Sequence, residues 1–590
     1  MSQTETELET FRREPPAPLA PRPLNLPVPE ETTLANGLRI VFVENTRLPF
    51  VTYRLAFRTG DAHDPPNLSG LTDLLTGMLN EGTTSRTSRQ IADAVARIGA
   101  TLGAGASSDN TTVAASALAQ FGDEILELMA DIVLRPSFPA DELELTKQNA
   151  LQNLIAQRGQ PSFLANERLA RVIYGEHPYS VVSATPESIV AISQDDLIEF
   201  HRRRFVPNNA VLVCGGDIRR DATLARLEEL FGAWQPGEPA ESNFPAPPVR
   251  ERRTLYLVDR PGSAQSNIVI ANTAITRTDP DYFPMLVMHT ILGANASSRI
   301  FMNLREDKGY TYGAYTSLDA RRTAGSFRAT AEVRTPVTGE SLKEFFYELG
   351  RIREELVTEK ELQDAKSYLT GIFPIRLETL DGLIDQLIQI KMHDLPDDYL
   401  QTYRERVSAV TREEVQRVAR RFVTPDRAAI VVVGDADALA DELKDYADDF
   451  EIYDSAGQRR KDATPEAEAE TTQNGRDMSS TTPAGDNSGF VGSWQLEITS
   501  PLGPQTATLV VDEDGAGALR GKLSSSWGEA PLDSLRQNDG IFQAAVALKI
   551  QGMSIQANIE GRREGDNLSG TIRTNMPIVP PLMFTGRKIS

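Results

Sequence analysis

The chain has one cysteine, Cys214, and so no internal disulfide. Cys214 lies within Val211-Leu212-Val213-Cys214-Gly215, which reads as a buried strand where the thiol serves as a small core group. Histidines are scarce, five in 590 residues. His63, His201, His289 and His393 have no partner at metal-ligand spacing and are expected on the surface or satisfied in a core. His177 stands before Pro178 and is expected to fix a loop. Long apolar runs are missing: stretches such as Ala429-Ile430-Val431-Val432-Val433 are strand-sized, far short of the roughly 20 residues that span a bilayer. Basic residues are outnumbered, 61 Lys and Arg against 83 Asp and Glu, a net charge of −22. That balance argues against nucleic acid as a partner and suits basic peptides, although solubility alone accounts for it at least as often. The start of the chain lacks the basic end and apolar centre of a secretory signal. Glu5, Glu7 and Glu9 lead into Pro15, Pro16, Pro18, Pro21 and Pro23, so a cytoplasmic location is expected, or a periplasmic one if the true start lies upstream. There is no G-x-S-x-G and no Cys/His pair to supply a nucleophile.

What the sequence does contain is an internal repeat. Ser193-Gln194-Asp195-Asp196-Leu197, Arg203-Arg204-Phe205-Val206-Pro207 and Ala210-Val211-Leu212-Val213 recur as Thr411-Arg412-Glu413-Glu414-Val415, Arg420-Arg421-Phe422-Val423-Thr424-Pro425 and Ala429-Ile430-Val431-Val432-Val433. Each copy reads as a capped helix, a proline break and a buried strand. Strands and helices come in runs, which favours α+β layers. A hairpin is expected at the start of the first half, where the Asn36-Gly37 turn signal precedes the strand-like runs Leu38–Val43 and Val51–Phe57. The expected organisation is a disordered N-terminal tail (1–32), a first domain (33–240), a linker (241–252), a second domain (253–455), a polar disordered linker (456–487) and a third domain (488–590). The third domain shows short alternating segments, with turn signals at Asp514-Gly515 and Asp539-Gly540. That pattern predicts a small antiparallel barrel or sandwich. Its opening Gly492-Ser493-Trp494 weakly resembles lipocalin-like barrels, although a packed interaction domain is favoured.

The stretch Gly70-Leu71-Thr72-Asp73-Leu74-Leu75-Thr76-Gly77-Met78-Leu79-Asn80-Glu81-Gly82-Thr83 is a helical frame with Leu71, Leu74, Leu75, Met78 and Leu79 on one core-facing stripe. Asp73, Thr76 and Gly77 are expected to lie away from that stripe. The frame resembles the G-L-x-H-x-x-E-H-M-L-x-x-G-T segment of the pitrilysin–insulinase zinc peptidases. Asp73 and Gly77 stand at its histidine positions and Thr76 at its glutamate position. Two imidazoles a turn apart grip Zn²⁺, and the carboxylate between them works on bound water. Neither function survives here. The family's third ligand, a glutamate some 76 residues on, falls on Asn153. Asp73 and Asn153 together offer far fewer oxygens than the roughly six a hard cation needs. No metal or other cofactor is therefore expected in this chain.

The resemblance covers residues 30–450. Tyr174-Gly175-Glu176-His177-Pro178-Tyr179 with Ala184-Thr185-Pro186-Glu187-Ser188-Ile189 is similar to the family's G-x-H-P-Y and G-T-P-E-x-I. Gly293 to Tyr312 is similar to G-G-G-x-S-S-R-L-F-x-x-L-R-E-x-x-G-L-x-Y. The second match puts Arg305 and Tyr312 at the positions of the pair that holds substrate in the family. Peptide hydrolysis develops negative charge on the carbonyl oxygen, to which a phenol can donate, while a guanidinium fixes an adjacent carbonyl. Packing gives a plainer account, with Arg305 in a surface ion pair near Glu306 and Tyr312 as a half-buried strand residue.

The resemblance implies two insulinase-like α/β domains in tandem. It also implies a non-catalytic subunit whose Arg305 and Tyr312 complete the site of a zinc-bearing H-x-x-E-H partner acting on peptides. The competing reading is an inert structural or peptide-binding scaffold, as in the core subunits of the respiratory cytochrome complex. An autonomous peptidase ranks last for want of a nucleophile or metal site.

Overall fold

The computed structural model describes residues 26–239, 242–460 and 490–589, apart from 501–502, 514–518, 526–527, 533–534, 539–540, 551–552 and 575–581 in the last stretch. The tail expected at 1–32 lies mostly outside the described residues, as do most of 456–487 and both Asp-Gly turns of the third domain. The chain divides into two compact units, residues 1–459 and 460–590.

The first unit holds two sheets of six strands each. The first comprises β1 (Glu30–Thr33), β2 (Arg39–Glu44), β3 (Phe50–Phe57), β4 (Thr101–Ala106), β5 (Thr111–Leu118) and β6 (Ala210–Gly216), in the order β1-β2-β6-β3-β5-β4. The second comprises β7 (Thr254–Asp259), β8 (Gln265–Ala274), β9 (Ala314–Ala320), β10 (Gly325–Arg334), β11 (Ala429–Gly434) and β12 (Asp449–Tyr453), in the order β12-β7-β11-β8-β10-β9. The repeat is visible strand for strand: β6 and β11 occupy the same place, each parallel to one neighbour and antiparallel to the other. Their helices begin alike. Ser193 accepts from the Asp196 N–H and Thr411 from the Glu414 N–H, and each N3 carboxylate reaches back to its cap. The hairpin differs in detail from the sequence expectation. The Asn36-Gly37 turn joins β2 to the short strand β1, while β6 intervenes between β2 and β3. A strand arriving from 150 residues away takes the central place because its seven residues are apolar or glycine and buried on both faces.

The two halves exchange helices. Pro161–Tyr174, from the first half, buries Leu164, Leu169, Ile173 and Tyr174 against Tyr256, Val258, Val269, Val431 and Val433 of the second sheet. Leu380–Met392, from the second half, packs Leu383 and Ile384 over Val41, Val43, Val211 and Val213 of the first. Gly215 permits this approach, since a Cβ there would sit 2.5 Å from Ile384 Cδ1. Each sheet is therefore covered on both faces, one of them by the other half.

The second unit is a nine-stranded antiparallel sheet running from Gly492–Ser500 to Leu582–Lys588. A bridge between Leu532 and Val546 nearly closes it into a barrel. Trp494, Leu496 and Ile498 point inward with Phe490, Phe542 and Phe584, while Gln495 and Glu497 point out. The Trp494 indole donates to the Phe490 carbonyl at 3.0 Å.

Candidate functional site

The helix carrying the metal frame, Leu71–Met78, starts at Gly70 with φ of 90°, where a Cβ would meet Ala184 Cβ at 2.6 Å. Asp64 caps it, accepting from the Gly70 and Thr72 N–H groups at 2.9 and 3.0 Å. Burial nevertheless pushes the Asp64 carboxyl up to about 7. Leu71, Leu74, Leu75, Met78 and Leu79 are in the core, as the stripe requires.

Asp73 and Gly77 face outward, and the space at Gly77 is open, a Cβ meeting only Thr146 Cγ2 at 3.8 Å. Thr76 departs from the sequence expectation. It is buried, and its hydroxyl donates to the Asp73 carbonyl at 2.9 Å. A short hydroxyl side chain folds back onto the preceding turn, where a longer carboxylate would have to extend.

Ala140–Arg158 packs beside this helix, Thr146 Oγ1 lying 3.3 Å from Met78 Sδ. Asn153 lies seven residues, two turns, beyond Thr146 on the same helix, and is exposed. The scaffold of a metal site is thus in place. The side chains Asp73, Thr76, Gly77 and Asn153 do not fit zinc: no imidazole is present, one position has no side chain and one hydroxyl is buried. Among the described residues no three His, Cys, Asp or Glu side chains group as metal ligands.

Surrounding carboxyls feel the same enclosure. Asp73 is exposed by its own surface area, yet desolvation by its surroundings raises its pKa. Desolvation, then the Asp73 charge, pushes Asp61 up to about 6.

Arg305 and Tyr312 lie together in the second domain. Arg299–Phe301 opens as a helical turn and continues as a π-helical segment, Met302–Asp307. Arg305 Nε donates to the Tyr312 carbonyl at 3.2 Å, and its guanidinium pairs with Glu306 and sits 5.4 Å from the Phe301 ring centroid. Tyr312 is 93% exposed, in the loop just ahead of β9. The packing account thus describes Arg305, which is ion-paired at the surface. It does not describe Tyr312, whose ring is held by no core.

His63 Nδ1 accepts from the Gly60 N–H at 3.3 Å, whereas the Nδ1 of the half-buried His393 has no partner among the described residues. His177 Nδ1 accepts from the Tyr179 N–H at 3.1 Å, and its Nε2 lies 3.0 Å from Thr323 Oγ1 in the second half. Thr323 Oγ1 donates to the Tyr179 hydroxyl at 3.0 Å, which in turn donates to Asp109. His177 therefore does fix a loop, and the loop it fixes joins the halves. Burial pushes His201 and His289 down to about 4, and they bond Val133 O and Thr316 Oγ1. Cys214 is fully buried, and burial pushes its thiol up.

Sequence reasoning did not identify which strands form the sheet edges. Among the described residues β4 pairs only with β5, and β9 only with β10, so each sheet ends in a strand whose outer side has no described partner. β4 (Thr-Leu-Gly-Ala-Gly-Ala) runs beside the frame helix, with Asn80 Nδ2 donating to Leu102 O at 3.4 Å. Its Gly103 and Gly105 leave the surface clear. The run of small residues was the available signal.

A duplicated pair of helix-covered sheets, with a metal-site frame emptied of ligands, defines the class: a zinc-peptidase fold in its non-liganding form. The chain belongs to the insulinase family of peptidases. Residues 39–187 match the description Insulinase (Peptidase family M16), and residues 191–369 match Peptidase M16 inactive domain. A Bacillus subtilis protein named uncharacterized zinc protease YmxG is 23% identical over 408 residues, 68% of this chain and 97% of its own length. A Helicobacter pylori protein named non-peptidase homolog YmxG is 25% identical over 379 residues, 64% of this chain and 87% of its own length. The crystal structure of a peptidase M16 inactive domain from Pseudomonas fluorescens superposes with a TM-score of 0.65 at 28% identity, covering 69% of this chain and 98% of that one. Among the described residues, no helix is long and apolar enough to cross a membrane.

Proposed function

We propose that this chain is the non-catalytic subunit of a two-chain insulinase-family metallopeptidase. Its partner carries the intact H-x-x-E-H site, and Arg305 and Tyr312 serve that site in trans. The observation that carries the reading is Tyr312, a large aromatic side chain 93% exposed in the loop just ahead of β9, an edge strand among the described residues. Burial gives no reason for a tyrosine there; donation to a substrate oxygen from another chain does. An extended peptide can add to an open strand edge through backbone hydrogen bonds, which tolerates many sequences. The chain's charge of −22 favours basic peptides.

The scaffold reading also has a specific observation behind it: Arg305 is already engaged by Glu306 and by the Tyr312 carbonyl. The two readings separate in a peptidase assay on this chain alone, with an H-x-x-E-H partner, and with the partner plus Arg305→Ala/Tyr312→Phe. Zinc is measured on each sample. The subunit reading expects activity only in the mixture, zinc that follows the partner, and a large loss in the double variant. A stable complex whose activity ignores both residues supports the scaffold instead.

A further inference from the structure

The two hairpins that carry the edge strands meet at their tips. The turn between β4 and β5 spans residues 107–110, and the turn between β9 and β10 spans 321–324. The Arg322 N–H donates to Asp109 Oδ2 at 3.1 Å, and Arg321 Nη1 donates to Ser108 Oγ at 3.0 Å. The exchanged helices cover more central strands, β2 and β6 in one sheet and β7, β8 and β11 in the other. The tips are joined differently, by a chain of hydrogen bonds that starts at His177.

Each proton in that chain has an assigned place. The Tyr179 N–H, which can only donate, points at His177 Nδ1 at 3.1 Å, so Nδ1 carries no proton. The neutral ring therefore carries its proton on Nε2, which donates to Thr323 Oγ1 at 3.0 Å. Thr323 Oγ1 donates to the Tyr179 hydroxyl at 3.0 Å, and that hydroxyl donates to Asp109 Oδ1. The direction of each bond fixes that of the next, and the chain crosses into the second half at Thr323 and returns.

A second proton on His177 has only Nδ1 to enter, which sets two donors against each other at 3.1 Å. The residue is 1% exposed, so solvent offers the displaced N–H no other partner. Burial holds the His177 pKa below its ordinary 6.5, while the Asp109 charge pulls it up and the Arg321 charge pushes it further down. Tyr174, Tyr179 and Phe244 surround the ring at 6.0, 4.2 and 5.4 Å between centroids. His63 and His393, whose pKa values burial also lowers, lie within reach of the Asp109 and Arg322 charges but are not links in the chain.

We propose that this junction is an acid-released latch. Protonation of His177 breaks the chain, and the tip of the β9–β10 hairpin comes away from the first half while the exchanged helices keep the halves joined. The loop that carries Tyr312 leads into β9, so the latch sets whether that edge is fixed or free. A histidine whose pKa is depressed in the closed form stabilises that form in full above its ordinary value of 6.5 and ceases to as pH falls. The latch belongs to this chain alone and stands apart from the subunit reading.

Hydrogen exchange of the full chain, read by mass spectrometry on peptides covering 177–181 and 320–325, tests it. These peptides hold the Tyr179, Arg322 and Thr323 N–H groups, all bonded within the junction. Corrected for intrinsic rates, their exchange is expected to be flat above about pH 7 and to rise up to about tenfold per unit as pH falls from 6.5 to about 5. The strands Ala210–Gly216 and Ala429–Gly434 keep their protection over that range. His177→Asn keeps an acceptor for the Tyr179 N–H but has no site to protonate, so its profile is flat. The His63→Gln/His393→Gln double variant keeps the parent's slope. Tyr179→Phe removes the oxygen that links Thr323 to Asp109 and speeds exchange at 320–325 about tenfold or more at neutral pH. A flat profile in the parent, a slope that survives in His177→Asn or is lost in the double variant, or a parallel rise in the two central strands overturns the proposal.

Discussion

Tyr312→Phe removes one oxygen from a ring that is 93% exposed and leaves the rest of the protein as it was. The substitution deletes no core contact, so its effect on stability is expected within about 0.5 kcal/mol, the range of ordinary surface changes. Its effect on catalysis is predicted to be of a different order. An oxyanion donor aimed at developing charge contributes about 3 kcal/mol, so kcat of the two-chain enzyme should fall by about 10²–10³. Because the donor acts in the transition state and the ring remains, KM should change little, and the loss should appear in kcat and kcat/KM alike. The measurement is steady-state hydrolysis of a fluorogenic peptide by the mixture, with thermal unfolding of this chain run alongside. Full activity in Tyr312→Phe refutes the trans-acting role. So does a loss matched by a large fall in Tm, since the residue would then act through folding.

The Glu306 carboxylate competes with substrate for Arg305, so Glu306→Ala should lower KM of the mixture by about two- to fivefold, the scale of an exposed ion pair; an unchanged or raised KM contradicts this. Gly215→Ala places a methyl 2.5 Å from Ile384 Cδ1 and 3.1 Å from Leu380 Cδ1, and overpacking there should cost about 1–3 kcal/mol in denaturant unfolding. The Asp61 carboxyl, at about 6 in the folded chain against an ordinary 3.8, favours protonation in the folded state. Its contribution is therefore fully present below pH 4 and is lost as pH rises through 6. Asp61→Asn should gain about 1–3 kcal/mol over the parent at pH 8, a gap that closes by pH 4, when unfolding is measured at both.

Much of the fold could be read from the sequence because its strongest signals are local. The capping boxes at Ser193 and Thr411, and the strands Ala210–Gly216 and Ala429–Gly434, sit at matching positions in the two halves, and a duplicated local pattern predicts a duplicated domain. The exchange of Pro161–Tyr174 and Leu380–Met392 was not legible. An apolar helical face says that a helix is covered, but not by which sheet. The burial of Thr76 was hidden for a related reason, since helical spacing alone puts it off the stripe while the backbone carbonyl that takes its hydroxyl is invisible to a sequence pattern. The pairing of Arg305 with Glu306 was foreseeable from their adjacency, but the protrusion of Tyr312 depends on how the loop before β9 leaves the π-helical segment.

The frame around the lost zinc site and the Arg305–Tyr312 pair are held by different physical constraints. Leu71, Leu74, Leu75, Met78 and Leu79 fill the first core, and Gly70 admits Ala184 against the helix start. Those residues keep the helix whether or not it carries ligands, so the survival of the frame says nothing about chemistry. Asp73, Gly77 and Asn153 face outward, where packing imposes no choice, and there the ligand types are gone. Tyr312 is also free of packing, and it stands where the sequence resemblance places the family's substrate-binding tyrosine. Packing explains the frame and freedom from packing explains the vacancies. Packing does not require Tyr312 to be a tyrosine, and the contact proposed with a partner's substrate supplies a reason.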